Sequence, residues 1–178
     1  MVSFTHLIPE KTALLVIDVQ RALFTRPNPV HDASKLIQTI NNLVERAGLF
    51  GVKVIYIQHA NDTILPEGSV GWQFHPDLKP NPTNVTIQKI KGNAFLDTKL
   101  QSTLEVWGTQ NLLITGLVSH QCVKATSLGG IELGYKVFLI KGGHSNFRKD
   151  AVDVIDQVQN ELEEAGVSPV FPEELDFD

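Results

Sequence analysis

Cys122 is the only cysteine in the chain, so no internal disulfide can form, and no basic segment followed by an apolar one opens the sequence. The expected compartment is therefore a reducing cytoplasm. The longest apolar runs, such as "ALLVI" and "NLLITGLV", fall far short of the ~20 residues a membrane helix needs. Net charge is -5 and the 15 Lys and Arg residues are scattered, which argues against a nucleic-acid surface or a polybasic membrane patch. A small molecule is the expected partner. Repeats, low-complexity tracts and linkers are also missing, so residues 1–178 are expected to form a single domain. No glycine-rich turn follows the first apolar run: "DVQRALFTRPN" offers no phosphate cradle, which argues against a flavodoxin-like nucleotide binder.

What is present is 42% hydrophobic residues, enough for a sizeable core. Short apolar runs alternate with segments of helical period, the pattern of an α/β fold whose parallel sheet has helices on both faces. Strands are expected at "TALLVIDV" (12–19), "VKVIYIQH" (52–59), "NVTIQK" (84–89), "NLLITG" (111–116) and "KVFLIK" (136–141). A short one at "SPVFP" (168–172) belongs at an edge because of its prolines. Asp32 is placed to cap a helix that buries Leu36, Ile37, Ile40, Leu43, Val44 and Ala47 and ends at Gly51. Asp97 and Gly108 bound a second helix, a third runs from Cys122 to about Gly134, and a fourth carries Ala151, Val154, Ile155, Val158 and Leu162 to Gly166. Residues 60–83 are irregular and rich in proline, with Trp72 and Phe74 among them. Two readings stay open for this segment, a binding loop or a surface loop pinned by its aromatics.

Open α/β sheets bind ligands outside the carboxyl ends of their strands. Asp18 lies at the end of the first strand, Lys89 at the end of the third and Cys122 just past the fourth. Each residue alone has a plainer reading: a lone cysteine as core filler, an aspartate as a turn cap, a lysine as solvated surface. Together they offer a nucleophile and its partners. A helix N-terminus and a nearby cation favour thiolate at Cys122, Asp18 can take and return a proton, and Lys89 can balance charge between them. Backbone N–H groups in the turn "GLVSHQC" are suited to an oxyanion hole.

In this order along the chain, "LLVIDVQ", "HPDLKPNPTNVTIQKIKGNAF" and "LLITGLVSHQCV" resemble the isochorismatase-like cysteine hydrolase superfamily, which includes nicotinamidases, N-carbamoylsarcosine amidases and isochorismatases. The resemblance spans residues 10 to 147 or so. It implies a three-layer, Rossmann-like fold with about six parallel strands and a triad of Asp18, Lys89 and Cys122. The spacing to "NAF" selects Lys89 over Lys91. A cis peptide is implied between Leu117 and Val118, aiming the N–H groups of Val118 and Cys122 at the oxyanion. Gln20, Trp72, Phe74 and His120 are the expected substrate-binding residues.

Two departures stand out. "HANDT" lacks the Asp-x-His-Pro of zinc-binding nicotinamidases, so no metal and no cofactor are expected, and His59, His75 and His120 are read as structure or pocket lining. Gly142 and Gly143 replace a common Asp-Ala pair in "IKGGHSNF". The resulting expectation is a cysteine hydrolase that cleaves a carbon–nitrogen bond of a small amide or ureide through a thioester, as a homodimer or homotetramer. The alternatives are a vinyl-ether hydrolase and a non-catalytic small-molecule binding module of the same fold.

Overall fold

The computed structural model describes residues 4–177, and its centre is an all-parallel sheet of six strands. Along the chain the elements are β1 (Thr5–His6), β2 (Thr12–Ile17), α1 (Arg21–Phe24), α2 (Ala33–Phe50), β3 (Lys53–His59), β4 (Val85–Lys89), α3 (Leu100–Val106) and β5 (Asn111–Leu117). A π-helical turn (Ser119–Val123) then runs into α4 (Lys124–Glu132), followed by β6 (Lys136–Ser145), α5 (Ala151–Glu164), β7 (Ser168–Val170) and β8 (Leu175–Asp176). The sheet order is β4-β3-β2-β5-β6-β7, so chain order reverses between β2 and β5. That switch point is where the strand ends leave a crevice.

Every residue of β2 is buried because helices cover both of its faces. The two-residue period divides the strand: Leu14 and Val16 join the cluster under α2, while Ala13, Leu15 and Ile17 join the one shared with α3 and α5. In α2 the buried face is the expected set from Leu36 to Ala47, and Gly51 ends it with φ 80°. The proline-containing β7 sits at the sheet edge. Among the described residues no helix is long and apolar enough to cross a membrane.

Several local expectations change. The first strand stops at Ile17, because Asp18 takes a left-handed backbone with φ 52°. Asp32 stands at the N-cap position of α2 but with φ 48° and no side-chain cap bond. Asp97, at φ 56°, forms a turn, and α3 starts later with Lys99 at the cap position and Thr98 Oγ1 accepting the Leu100 N–H at 3.1 Å. Aspartate tolerates the left-handed region better than most residues, so Asp18 turns the chain where strand was expected, and Asp32 and Asp97 do so where side-chain caps were expected.

Two glycines shape the site edge. Gly116 lies so close to β2 that a Cβ would sit 2.0 Å from the Ile17 carbonyl oxygen. In β6, Leu139 pairs with Ile114 and His144 with Gly116, so five steps along β6 match two along β5. The surplus is a bulge containing Gly142 (φ 73°) and Gly143, where Ile140 Cγ2 occupies the space 2.8 Å from where a Cβ would lie. The Gly142-Gly143 pair thus has a backbone role: it lies within β6, which runs past the expected Lys141 and brings His144 to Ser119 in the turn after β5.

A second, two-stranded parallel sheet, β1 with β8, was not expected, since two-residue strands carry no readable period. Arg46 of α2 holds it, donating to Pro172 O at 2.7 Å and Leu175 O at 2.8 Å, with Phe177 under its guanidinium. Arg46→Met keeps the aliphatic stem and removes both charged bonds, so it should lower stability by about 1–2 kcal/mol. An unchanged urea midpoint would show that the tail is held by apolar packing alone.

Candidate active site

Four neighbouring strands deliver the polar groups to one edge. Asp18 follows β2, His59 and Lys89 are paired ends of β3 and β4, and Cys122 lies in the turn after β5. The Asp18 N–H bonds Ile57 O at 3.0 Å, which anchors the residue as its backbone turns away from the strand. Lys89 Nζ lies 2.8 Å from Asp18 Oδ2, 2.8 Å from His59 Nδ1, 3.0 Å from Lys91 O and 3.3 Å from Cys122 Sγ. The Lys89 side chain is 0% exposed and that of Asp18 3%, whereas Lys91 is exposed and contributes its carbonyl.

An ammonium has three N–H donors and here faces four acceptors, so they cannot all be served at once. The thiol is the acceptor that carries its own proton. Asp18 Oδ1 is buried without a hydrogen-bond partner, and Cys122 Sγ lies within 4.8 Å of an Asp18 carboxylate oxygen. Burial raises the Asp18 pKa while Lys89 pulls it back. Burial and the Asp18 charge push Cys122 up to about 12 against the opposing effect of Lys89. The resting cysteine is therefore a neutral thiol beside an ion pair. The nearby cation does favour the thiolate, as expected, but burial and the Asp18 charge outweigh it, and Cys122 lies within the π-helical turn.

His59 is half-buried, and burial and the Lys89 charge lower its pKa. An ammonium only donates, so Nδ1 accepts and the neutral ring carries its proton on Nε2. Ligand atoms of Asp18, His59 and Cys122 lie within 4.8 Å of one another, a spacing compatible with a metal. Lys89 Nζ lies within hydrogen-bond distance of all three residues, so the ammonium already stands as a cation among them.

The peptide bond between Leu117 and Val118 is cis. Val118 O accepts the N–H groups of Gln121 at 3.0 Å and Val123 at 3.4 Å, which closes the turn. Behind it Ser119 Oγ meets His144 Nδ1 at 2.9 Å, with both residues buried. Burial pushes His144 from 6.5 down to about 4. Between those values the unfolded chain binds a proton that the native protein does not, so this contribution is intact above pH 6.5 and is lost as pH falls toward 4. The sign is opposite to that of Asp18, whose raised pKa adds stability on the acid side. Urea unfolding of His144→Asn from neutral pH to pH 4 should show a shallower loss than wild type, by up to about 3 kcal/mol. Parallel curves would remove His144 as the source.

A cavity of about 340 Å³ opens onto Asp18, His59 and Cys122. Leu23, Leu65, Val118 and Phe147 supply apolar wall, with Arg26 and Asn61 among its polar groups. The expected substrate-binding residues lie elsewhere. Gln20 is fully buried and braces the backbone: Nε2 donates to His59 O at 2.9 Å and Trp72 O at 2.8 Å, and Oε1 accepts His59 N–H at 2.9 Å. Phe74 packs on Tyr56 with ring centroids 5.4 Å apart. Neither Trp72 nor His120 lines the cavity, and the charges acting on His120 are those of Arg148 and Asp150. The 60–83 segment combines both open readings: Asn61, Ile64 and Leu65 face the cavity, and Trp72 to Leu78 are pinned to the core. Leu23, Arg26 and Phe147 carry no local pattern that marks them as cavity wall.

Fold and site together define a class: an open parallel α/β sheet with a buried carboxylate and ammonium and a half-buried thiol converging at one carboxyl edge. The isochorismatase domain model matches residues 12–160, and the chain belongs to the isochorismatase family. Streptothricin hydrolase of Streptomyces noursei is 31% identical over 149 residues, covering 82% of this chain and 54% of the relative. The chain thus spans about half the length of that hydrolase. Ureidoacrylate amidohydrolase RutB of Caulobacter segnis is 25% identical, over 71% of this chain and 69% of its own. The crystal structure of an isochorismatase from Pseudomonas putida KT2440 has the same fold, with a TM-score of 0.87 at 21% identity over 98% of this chain and 94% of the other.

Proposed function

We propose that this chain hydrolyses a carbon–nitrogen bond in a small amide or ureide through a thioester on Cys122. The observation that carries the reading is one ammonium, Lys89 Nζ, 2.8 Å from Asp18 and 3.3 Å from Cys122, the two of which line a cavity of about 340 Å³. Burial raises the Asp18 pKa and the Lys89 ammonium 2.8 Å away opposes that rise, so the pair favours the carboxylate that serves as the base. As the substrate carbonyl meets Sγ, Asp18 takes the thiol proton and the carbon–sulfur bond forms, with the oxyanion on the N–H groups of Val118 and Cys122. Asp18 then protonates the departing nitrogen as the carbon–nitrogen bond breaks. A water, deprotonated by Asp18, hydrolyses the thioester and returns the thiol its proton. The relatives named a hydrolase of streptothricin and an amidohydrolase of ureidoacrylate support amide chemistry over cleavage of a vinyl ether.

The test is ammonia release from a panel of small amides and ureides by wild type and Cys122→Ala side by side. Release by wild type alone is expected. Equal release by both proteins would rule out Cys122 as nucleophile.

A further inference from the structure

Arg26 is placed in the wall of the cavity with its charge unanswered. Its Cζ lies 4.3 Å from the centroid of the Phe147 ring, a cation–π contact that leaves the five N–H donors of the guanidinium without a protein acceptor among the described residues. Among the described residues no carboxylate lies within ion-pair distance of it. The other charges at the cavity floor cancel, since Asp18 is paired with Lys89 and the His59 ring is neutral. Asn61 cannot answer an anion with its oxygen and is already used as a brace, Oδ1 accepting the N–H groups of Thr63, Ile64 and Leu65. The cavity thus has one net positive charge, set among Leu23, Leu65 and Phe147, where reduced hydration strengthens its attraction for an anion.

We propose that Arg26 binds a carboxylate of the substrate, so that the site selects small amides or ureides bearing a negative charge. The planar fork matches a carboxylate in two-point contact, and Phe147 holds it in place for that contact. The substrate part of this inference rests on the hydrolase reading above, but the anion subsite can be tested without turnover.

The single cysteine provides the probe. Alkylation of Cys122 by iodoacetate, which carries a carboxylate, is compared at one fixed pH with alkylation by neutral iodoacetamide, and the rate ratio is set against that of a small free thiol. In wild type the ratio should exceed the free-thiol value by about tenfold, the effect of about 1.4 kcal/mol of selective attraction. In Arg26→Met, which keeps the stem over Phe147, it should fall to near the free-thiol value, and Arg26→Lys should retain part of the preference. A wild-type ratio equal to the free thiol's, or one unchanged in Arg26→Met, overturns the proposal. A second arm compares ammonia release from a carboxylated ureide and its methyl ester. If the alkylation preference holds but no amide is cleaved, the anion subsite stands and the hydrolase reading falls. If both substrates are cleaved with a ratio that Arg26→Met leaves unchanged, hydrolysis stands and the subsite falls.

Discussion

Asp18→Asn should make Cys122 easier to ionise and at the same time abolish hydrolysis. These two effects pull apart what a simple loss of structure would move together. In the resting protein burial and the Asp18 charge hold the thiol up at about 12, with Lys89 3.3 Å from Sγ opposing them. Asparagine keeps the shape and removes the negative charge, leaving the ammonium without its carboxylate. The thiol should then titrate about 1–3 pH units lower, the usual effect of one adjacent charge. Alkylation at neutral pH accordingly speeds up relative to wild type. Hydrolysis should nonetheless fall by about a thousandfold, since asparagine cannot accept the thiol proton, protonate the leaving nitrogen or activate water. Loss of hydrolysis with an unchanged alkylation profile would mean that Asp18 does not act on the thiol. Retained hydrolysis would remove it as the base.

Lys89→Met should be costly in a different currency, stability. The Asp18 carboxylate would remain buried with its partner gone, and breaking a buried pair from one side typically costs about 3–5 kcal/mol. The variant escapes part of that by protonating Asp18, whose pKa burial already raises. A raised acid contributes stability that is present below its unfolded value of 3.8 and is lost as pH rises through the folded pKa. Lys89→Met should therefore become less stable on going from mildly acidic to neutral pH, opposite to the trend set by His144. Adding Asp18→Asn removes the stranded charge and should recover much of the loss, which a double-mutant cycle measures. Urea midpoints of Lys89→Met equal to wild type at neutral pH would show that the 2.8 Å pair contributes nothing net. The single variant should also be inactive at neutral pH, because a protonated Asp18 cannot take the thiol proton.

The division between what was readable and what was not follows the range of the interactions. A strand covered on both faces is largely apolar throughout, a local property that announced central strands such as "TALLVI" and "NLLITGL". The shorter, partly exposed edge strands "VTIQK" and "SPV" were marked by their place in the alternation and, for the last, by proline. The helical faces of α2 and α5 were readable for the same reason, and the order of three motifs pointed to the family. Limits of elements were less so: Asp18, Asp32 and Asp97 turn left-handed, and whether an aspartate caps or turns depends on neighbours beyond its own segment. The strand-end rule placed Asp18, Lys89 and Cys122 at one edge, but chain position says nothing about an ammonium 2.8 Å from a carboxylate and 3.3 Å from a thiol. Those distances, together with burial, decide that the resting thiol keeps its proton. The cavity wall was out of reach for a similar reason, since Arg26, Leu65 and Phe147 come from three separate segments that meet only once the sheet order is set. Sequence alone determined the layers and the reactive residue types, because periodicity and composition act locally. Tertiary structure decided protonation, cavity charge and the neighbours of Cys122, because electrostatics depends on distances between segments far apart in the chain.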